Sequence, residues 1–170
     1  NDLEESKKEL LGMIEYNEKN LSSLKPLYEA AKANAPYHHT MDTAFGRITV
    51  WNSPFLKSTA YESIKAYGLE FIQNKDLKTR LIDLYENHFP EIVEDYDKSE
   101  WTLAQSVTYP YFIGRLDRSK GITTPLDYQK LISEPSFRAN LSTIIALRGY
   151  GVDLGKKTIT EISSTIDLIN

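Results

Sequence analysis

Three histidines and the carboxylates beside them are the residues of this chain best suited to chemistry. His38 and His39 precede Asp42 by four and three positions, and His88 stands three positions before Glu91. Imidazoles and carboxylates bind metal ions and transfer protons, so these residues define one hypothesis, a weak metal-dependent hydrolase. Adjacent histidines point in different directions, however, and one helical turn would offer only two ligands. We therefore expect loop or surface histidines and predict no metal site.

Other catalytic motifs are missing from the chain. The Glu-x-x-His pair of di-metal helical bundles does not occur, since His88 and Glu91 stand in the reverse order around Pro90. There is no cysteine, hence no disulfide or thiolate metal site, and no Gly-x-Ser-x-Gly elbow. The glycines of GYGVDLG (149–155) lack the lysine and the preceding strand of a phosphate-binding loop. The sequence therefore favours a protein that is not an enzyme and needs no cofactor.

Aromatic residues are the remaining unusual feature. Trp101, Tyr109 and Tyr111 cluster around Pro110, and Trp51 lies in an earlier loop. Tryptophan and tyrosine combine apolar area with a polar tip, which suits small-molecule pockets and protein interfaces. We predict these two tryptophans and two tyrosines as the contacts of a ligand or a partner. Packing in the core is the alternative explanation.

Charge and composition exclude several classes of protein. The net charge is −4, and basic residues are scattered apart from the short run GRLDRSKG (114–121), so we predict no nucleic-acid partner. With 41% hydrophobic and 26% charged residues the composition is that of a soluble globular protein, without the roughly 20 apolar residues of a membrane span. A length of 170 residues indicates one domain over 1–170.

Apolar residues recur at helical spacing along most of the chain. A first helix is predicted from about Asp2 to Lys32, kinked or broken at Pro26, with Asn17 interrupting its apolar seam. Residues 36–55 are predicted to form an ordered loop with a short helix over 40–47. The segment ITVW (48–51) has no strand partner elsewhere, and a lone strand cannot satisfy its backbone groups.

The next stretch, AYESIKAYGLEFIQNKDL (60–77), predicts a corner between two helices. Gly68 ends one helix and Asn74 caps the next, while Leu69, Phe71 and Ile72 are expected to fold against the core. A very long helix then follows from Lys75, bent or divided at Pro90 and ending near Pro110.

A short helix is predicted next, with Thr124 as its N-cap, Pro125 in its first turn and Ser133 near its end. The last helix runs from about Ser136 to Ile169, with Arg148 inside its apolar stripe. Its glycines either bend it or let another helix approach closely. The whole pattern predicts an all-α fold, an antiparallel helical bundle with long terminal helices, a kinked central helix and both chain ends on one side.

Two segments, 55–92 and 132–169, resemble a family of bacterial proteins classed as a domain of unknown function. The matching elements are a Lys-x-x-Gly corner at 65–68, an Ile-x-Asn element at 72–74, a leucine-rich helix with Tyr85, and a Phe-x-x-Asn element at 137–140. Such proteins carry one N-terminal transmembrane helix before a helical domain outside the cytoplasmic membrane. The resemblance therefore implies a bacterial, periplasmic domain anchored by a segment that precedes Asn1, and it implies no catalytic residues.

Three functional hypotheses follow. The first is a non-enzymatic, extracytoplasmic helical domain that acts through a protein partner or through self-association. The second is a small-molecule sensor in which the aromatic residues form a pocket and the terminal helices move on binding. The third is the metal-dependent hydrolase described above.

Overall fold

The computed structural model describes residues 2–119 and 121–169. Its elements are α1 (Asp2–Lys32), α2 (Asp42–Arg47), α3 (Thr59–Tyr67), α4 (75–112), β1 (Leu116–Asp117), β2 (Thr124–Pro125), α5 (Tyr128–Ser133) and α6 (Pro135–Ile169). Short 3-10 turns, His39–Met41 and Leu69–Phe71, precede α2 and follow α3. The chain is 78% helical, which confirms the all-α prediction.

The two long helices α1 and α6 pack against each other in opposite directions. Gly149 shares a surface cavity with Ser22, and six residues later Gly155 lies against Met13. The described chain therefore begins and ends at the same end of the bundle, as predicted. Helix α1 continues through Pro26 without a break in its helical assignment.

Helix α4 is a single bent helix that alternates between two helical geometries. Its α-helical parts include Lys75–Asp83, Lys98–Leu103 and Tyr109–Phe112, and its π-helical parts are Leu84–His88, Glu91–Asp97 and Ala104–Thr108. Asn74 caps its first turn by accepting hydrogen bonds from the amides of Asp76 and Leu77, as the sequence predicted.

Two of the π turns end two residues before a proline. The amide of Phe89 donates to the carbonyl of Leu84, and the amide of Tyr109 donates to that of Ala104, both five residues back. A proline ring inside an α-helix collides with the carbonyl four residues earlier. The wider π turn relieves that collision, so the helix passes Pro90 and reaches the turn that contains Pro110 instead of ending.

Glycines in α6 allow the neighbouring helices to approach closely. A Cβ atom on Gly151 would lie 2.3 Å from Cζ of Tyr96 in α4, and one on Gly155 would lie 2.8 Å from Cε of Met13 in α1. Both distances are too short for real atoms. Close helix contact, one of the two outcomes predicted for this segment, is therefore the role of these two glycines.

The bundle holds two apolar clusters. The first lies towards the end that carries α5, and its largest members are Leu24, Phe45, Phe112, Tyr128, Leu131, Phe137, Leu141 and Ile144. The second lies towards the chain ends, and it includes Leu10, Met13, Leu21, Leu84, Phe89, Ile92, Tyr96, Val152 and Ile162. Between them α1, α4 and α6 contribute buried polar residues, namely Asn17, Asn20, Glu100 and Arg148.

The corner after α3 departs from the prediction. Leu69 and Ile72 are half-buried, but Phe71 is 76% exposed. The side chain of Tyr67 is also largely exposed. Helix α3 attaches to the bundle through Tyr61, whose ring stacks on Tyr85 with centroids 4.3 Å apart. Tyr61 is the one buried residue of this short helix, which also contacts the bundle through the hydrogen bonds of Ala60 to Asp2 and of Lys65 to Glu86.

The start of α5 also differs from the sequence prediction. Asp127 is the cap, because its side chain accepts a hydrogen bond from the amide of Lys130, whereas Thr124 and Pro125 belong to β2. β2 pairs with β1 in an antiparallel ladder in which Leu116 faces Pro125. Thr124 pairs with Asp117, seven residues earlier in the chain, and this pairing overrode the capping signal.

Candidate functional site

A buried polar layer crosses the bundle between the two apolar clusters. Nε of Arg148 lies 3.3 Å from Oε1 of Glu100, and both side chains are almost fully buried. The hydroxyl of Tyr96 lies 3.4 Å from the same carboxylate and accepts a 2.7 Å hydrogen bond from the amide of Asn17. The layer therefore links α1, α4 and α6 through polar contacts.

Burial shifts the acid–base properties of this layer. It raises the pKa of the Glu100 carboxyl above its ordinary value of 4.5, against the attraction of Arg148. It also lowers the pKa of the Arg148 guanidinium, and it raises that of the Tyr96 hydroxyl. In each case loss of water disfavours the charged form of the group.

The layer holds residues 47–53, the last residue of α2 and the segment that follows it, which we call the strap. Arg148 donates from Nη1 to the carbonyl of Arg47 at 2.7 Å and from Nη2 to that of Ile48 at 3.1 Å. The next two carbonyls accept hydrogen bonds from the hydroxyl of Tyr109 and the amide of Asn20. Four successive carbonyls thus bind side chains from α1, α4 and α6, which is how a segment without a strand partner satisfies its backbone.

The strap carries Trp51 to the surface of α4. The indole N–H of Trp51 donates to Oδ1 of Asp97 at 3.0 Å, and its ring meets Trp101 edge to face with centroids 5.0 Å apart. The hydroxyl of Ser53 donates to the same Asp97 oxygen at 2.6 Å. Two of the predicted contact residues, 50 positions apart in the chain, therefore form one surface cluster.

Tyr109 joins this cluster because of the π turn Ala104–Thr108. In a regular α-helix, a side chain eight residues after another lies about 80° further round the helix axis than two full turns. When a π turn adds one residue to that stretch, the second side chain lies only about 20° short of two full turns, which is nearly the same direction. Trp101 and Tyr109 consequently share one face of α4, with Gln105 between them. Trp101 is 49% exposed and Tyr109 37% exposed. We call Trp51, Trp101, Gln105 and Tyr109 the aromatic face.

The two segments that form the aromatic face bring no exposed charge to it, although Asp97 accepts a hydrogen bond from Trp51 and Arg118 donates to Oγ1 of Thr49. Residues 48–56 contain no charged residue, and residues 99–114 contain only Glu100, which is buried. At the 26% average of this chain, two stretches of this length would contain about six charged residues. Exposed apolar side chains within them include Val50, Phe55, Val107 and Ile113.

Tyr111, the fourth predicted contact residue, lies apart from the aromatic face. Its hydroxyl donates to Glu134 at 2.8 Å, and its ring lies 4.3 Å from the guanidinium carbon of Arg115. The hydrogen bond from Tyr111 lowers the pKa of the Glu134 carboxyl, and Arg115 adds to that effect. Arg115 and Glu134 line an open cavity of about 350 Å³ together with Gly114, Leu126, Asp127, Lys130 and Leu131.

The histidines do not converge. The rings of His38 and His39 lie 4.3 Å apart on the exposed turn before α2, with Nδ1 of His38 bound to Thr40. His88 is buried in α4, where Nε2 lies 3.3 Å from Oδ2 of Asp83 and Nδ1 lies 3.8 Å from Oε2 of Glu91. Within residues 2–119 and 121–169, no three His, Asp or Glu side chains are arranged to hold a metal ion.

Two members of the buried polar layer are visible in the sequence, but no sequence pattern connects them. Asn17 interrupted the apolar seam of α1, and Arg148 fell inside the stripe of α6. Glu100 gave no such signal, because it follows the acidic run of residues 91–97 that reads as a solvated surface. The absence of charge from 48–56 and 99–114 is visible in the sequence, but it acquires meaning only when the two segments are seen to be neighbours.

Comparisons with protein-family models, curated proteins and solved structures found no match to this chain. In the part of the chain that the structure describes, no helix combines the length and the apolar content needed to cross a membrane. The functional conclusions below therefore depend on the geometry of the chain itself.

Proposed function

We propose that this domain acts through contacts with another protein, and that the aromatic face is the centre of the contact surface. The observation that supports the proposal is the surface formed by residues 48–56 and 99–114, two segments that bring no exposed charge, with Trp101 and Tyr109 exposed at its middle and Asp97 and Arg118 at its border. The cores of protein interfaces are depleted in charged residues and enriched in aromatic ones. Tryptophan and tyrosine are also the commonest residues whose truncation abolishes binding.

The other exposed apolar cluster fits a contact surface less well. Tyr67 and Phe71 protrude at the corner after α3, but charged residues surround them closely in the sequence, namely Glu62, Lys65, Glu70, Lys75 and Asp76. Burying those side chains against a partner would require each of them to find a counter-charge. The aromatic face contains no charged side chain, and the carboxylate at its border, Asp97, is already bound by Trp51 and Ser53.

The aromatic face is also preorganised for binding. Trp51 is fixed by its hydrogen bond to Asp97, and Tyr109 is fixed by its hydrogen bond to the carbonyl of Thr49. Side chains already held in place lose less conformational freedom when a partner binds. Trp101 packs against the ring of Trp51, so it too has a defined position.

Site-specific photo-crosslinking in the cells that produce the protein tests this proposal. A photo-reactive amino acid replaces Gln105 in the aromatic face, and a control protein carries it at the exposed Leu11 of α1. We expect a covalent protein adduct at position 105 that disappears when Trp101→Ala is added, and no adduct at position 11. Failure to obtain an adduct at position 105 would contradict the proposal.

Small-molecule sensing is a second proposal, supported by the cavity beside Tyr111. Two cationic side chains, Arg115 and Lys130, and two anionic ones, Asp127 and Glu134, line it together with two leucines. Balanced charges around a small cavity suit a zwitterion such as an amino acid, whose carboxylate and ammonium would each find a partner.

Thermal unfolding with single amino acids tests the second proposal. A ligand at a hundredfold excess over its Kd raises the free energy of unfolding by about 2.7 kcal/mol. We expect the rise in melting temperature to be smaller in the variant Lys130→Gln. The control variant Lys8→Gln, which changes a lysine of α1, should show the same rise as the wild type. No rise with any amino acid would count against this cavity as a ligand site.

The family resemblance supports a third element of the proposal, a location outside the cytoplasmic membrane of a bacterium. A reporter enzyme that is active only outside the cytoplasm tests that location. The reporter is fused after residue 170, and the fusion is expressed from the protein's own gene. Activity of a reporter that works only in the cytoplasm would contradict it.

A further inference from the structure

We infer that the partner of the aromatic face is a second copy of this chain, in a two-fold symmetric dimer with its axis at Gln105. This inference rests on the proposed function and names the partner. In a two-fold contact the same patch lies on both subunits, so each residue i that meets j implies that j meets i. The aromatic face satisfies this condition through its spacing.

The spacing is symmetric about Gln105. Trp101 and Tyr109 lie four residues before it and four residues after it, and the π turn brings all three to one face of α4. When two copies of α4 cross in opposite directions at Gln105, Trp101 packs on Tyr109 of the partner subunit, and the reverse contact follows by symmetry. Each Gln105 carboxamide has both a donor and an acceptor, so the two can exchange hydrogen bonds across the axis.

Charge favours the same arrangement. Each copy carries a net charge of −4, and a contact between identical surfaces places like charges opposite each other wherever charges are present. Residues 48–56 and 99–114 add no exposed charge to this surface, and the charges bound at its border have opposite signs, Asp97 at Trp51 and Arg118 at Thr49. A contact with its own copy therefore does not bring together like charges alone. If the partner were a protein of opposite net charge, we would expect a charged contact surface on this chain instead.

Cysteine crosslinking tests the position of the axis, because the chain contains no cysteine of its own. Gln105→Cys places two thiols at the crossing point of two helices, where a disulfide can form. Under mild oxidation we expect this variant to become a covalent dimer. Ser63→Cys, on the exposed surface of α3, is the matched control and is expected to remain monomeric. Equal crosslinking of the two variants, or none at position 105, would overturn the inference.

Sedimentation of the unmodified chain provides an independent readout. We expect a reversible dimer whose dissociation constant rises at least about tenfold in Trp101→Ala, as for a central interface residue. Tyr67→Ala removes an exposed aromatic side chain from the α3 corner and should leave the dissociation constant unchanged. A chain that stays monomeric up to about 1 mM would overturn the inference.

The two proposals fail in different ways. A photo-adduct at position 105 with the mass of two chains supports both the proposed function and the dimer. An adduct with a different protein, together with monomeric sedimentation, overturns the dimer and retains the proposed function. Loss of every adduct together with monomeric sedimentation overturns both.

Discussion

Arg148 and Glu100 form an ion pair in which both side chains are 2% exposed or less, at the level where the two apolar clusters meet. A buried ion pair of this kind contributes little net stability, because desolvation of the two charges offsets their attraction. Arg148 has a second role, however, since it also donates to two carbonyls of the strap. The pair therefore positions the segment that presents Trp51.

Loss of the arginine should be the more damaging change at this pair. Arg148→Met leaves a buried carboxylate without its cation and two strap carbonyls without donors, so we expect a loss of about 3–5 kcal/mol in the free energy of unfolding. Glu100→Gln keeps an oxygen that can accept from Nε of Arg148, and we expect a loss below about 2 kcal/mol. Urea unfolding of the two variants measures both values, and a larger loss in Glu100→Gln would contradict this assignment.

The raised pKa of Glu100 predicts a pH-dependent stability. Between the unfolded value of 4.5 and the higher folded pKa, the folded protein holds a proton that the unfolded chain has released. The stability contributed by this group is therefore fully present below pH 4.5 and is lost as pH rises through the folded pKa. We expect the wild type to lose stability relative to Glu100→Gln over that range. Denaturant unfolding at a series of pH values checks this, and a constant difference would contradict it.

Gly151 and Gly149, two residues apart in α6, should respond in opposite ways to alanine. Gly151→Ala pushes a methyl group into the buried ring of Tyr96, and we expect a loss of about 1–3 kcal/mol in the free energy of unfolding. Gly149 has no atom within 4 Å of the added carbon, so Gly149→Ala should raise stability by up to about 1 kcal/mol through helix propensity. Thermal unfolding of the pair measures the contrast, and similar effects would contradict the close packing.

The attachment of α3 to the bundle should depend on one ring. Tyr61 is buried, stacks on Tyr85 and donates to Glu86 at 2.9 Å. We expect Tyr61→Ala to lower the free energy of unfolding by about 3 kcal/mol. Phe71→Ala, at the exposed end of the same corner, should change it by less than about 0.5 kcal/mol. Faster amide hydrogen exchange in α3 of the Tyr61 variant alone would support this account, and equal losses would exclude it.

The predictions from sequence succeeded where a local signal and the tertiary contacts agreed. Asn74 caps α4, Gly68 ends α3 with a φ of 113°, and α1 spans Asp2–Lys32 as its apolar period indicated. They were wrong where contacts outside the predicted helix decided the outcome. Thr124 had the side chain of a helix cap, but β2 pairs with β1, and Asp127 therefore caps α5 instead. Phe71 was expected in the core, and it is 76% exposed.

The candidate site divides in the same way. Residue chemistry, which the sequence displays directly, was enough to select the four contact candidates, Trp51, Trp101, Tyr109 and Tyr111. Their separation into an aromatic face and a cavity beside Glu134 did not, because a π turn changes the face on which a residue lies and periodicity assumes a regular helix.

The linear pattern of apolar residues determined that this chain is an all-α bundle, because a helix must bury one stripe and the spacing of that stripe is written in the sequence. Only the tertiary structure decided that the strap lies against α4, that Arg148 binds its carbonyls, and that two uncharged segments become one surface. Those outcomes depend on contacts between residues 50 to 100 positions apart, and such contacts leave no period along the chain.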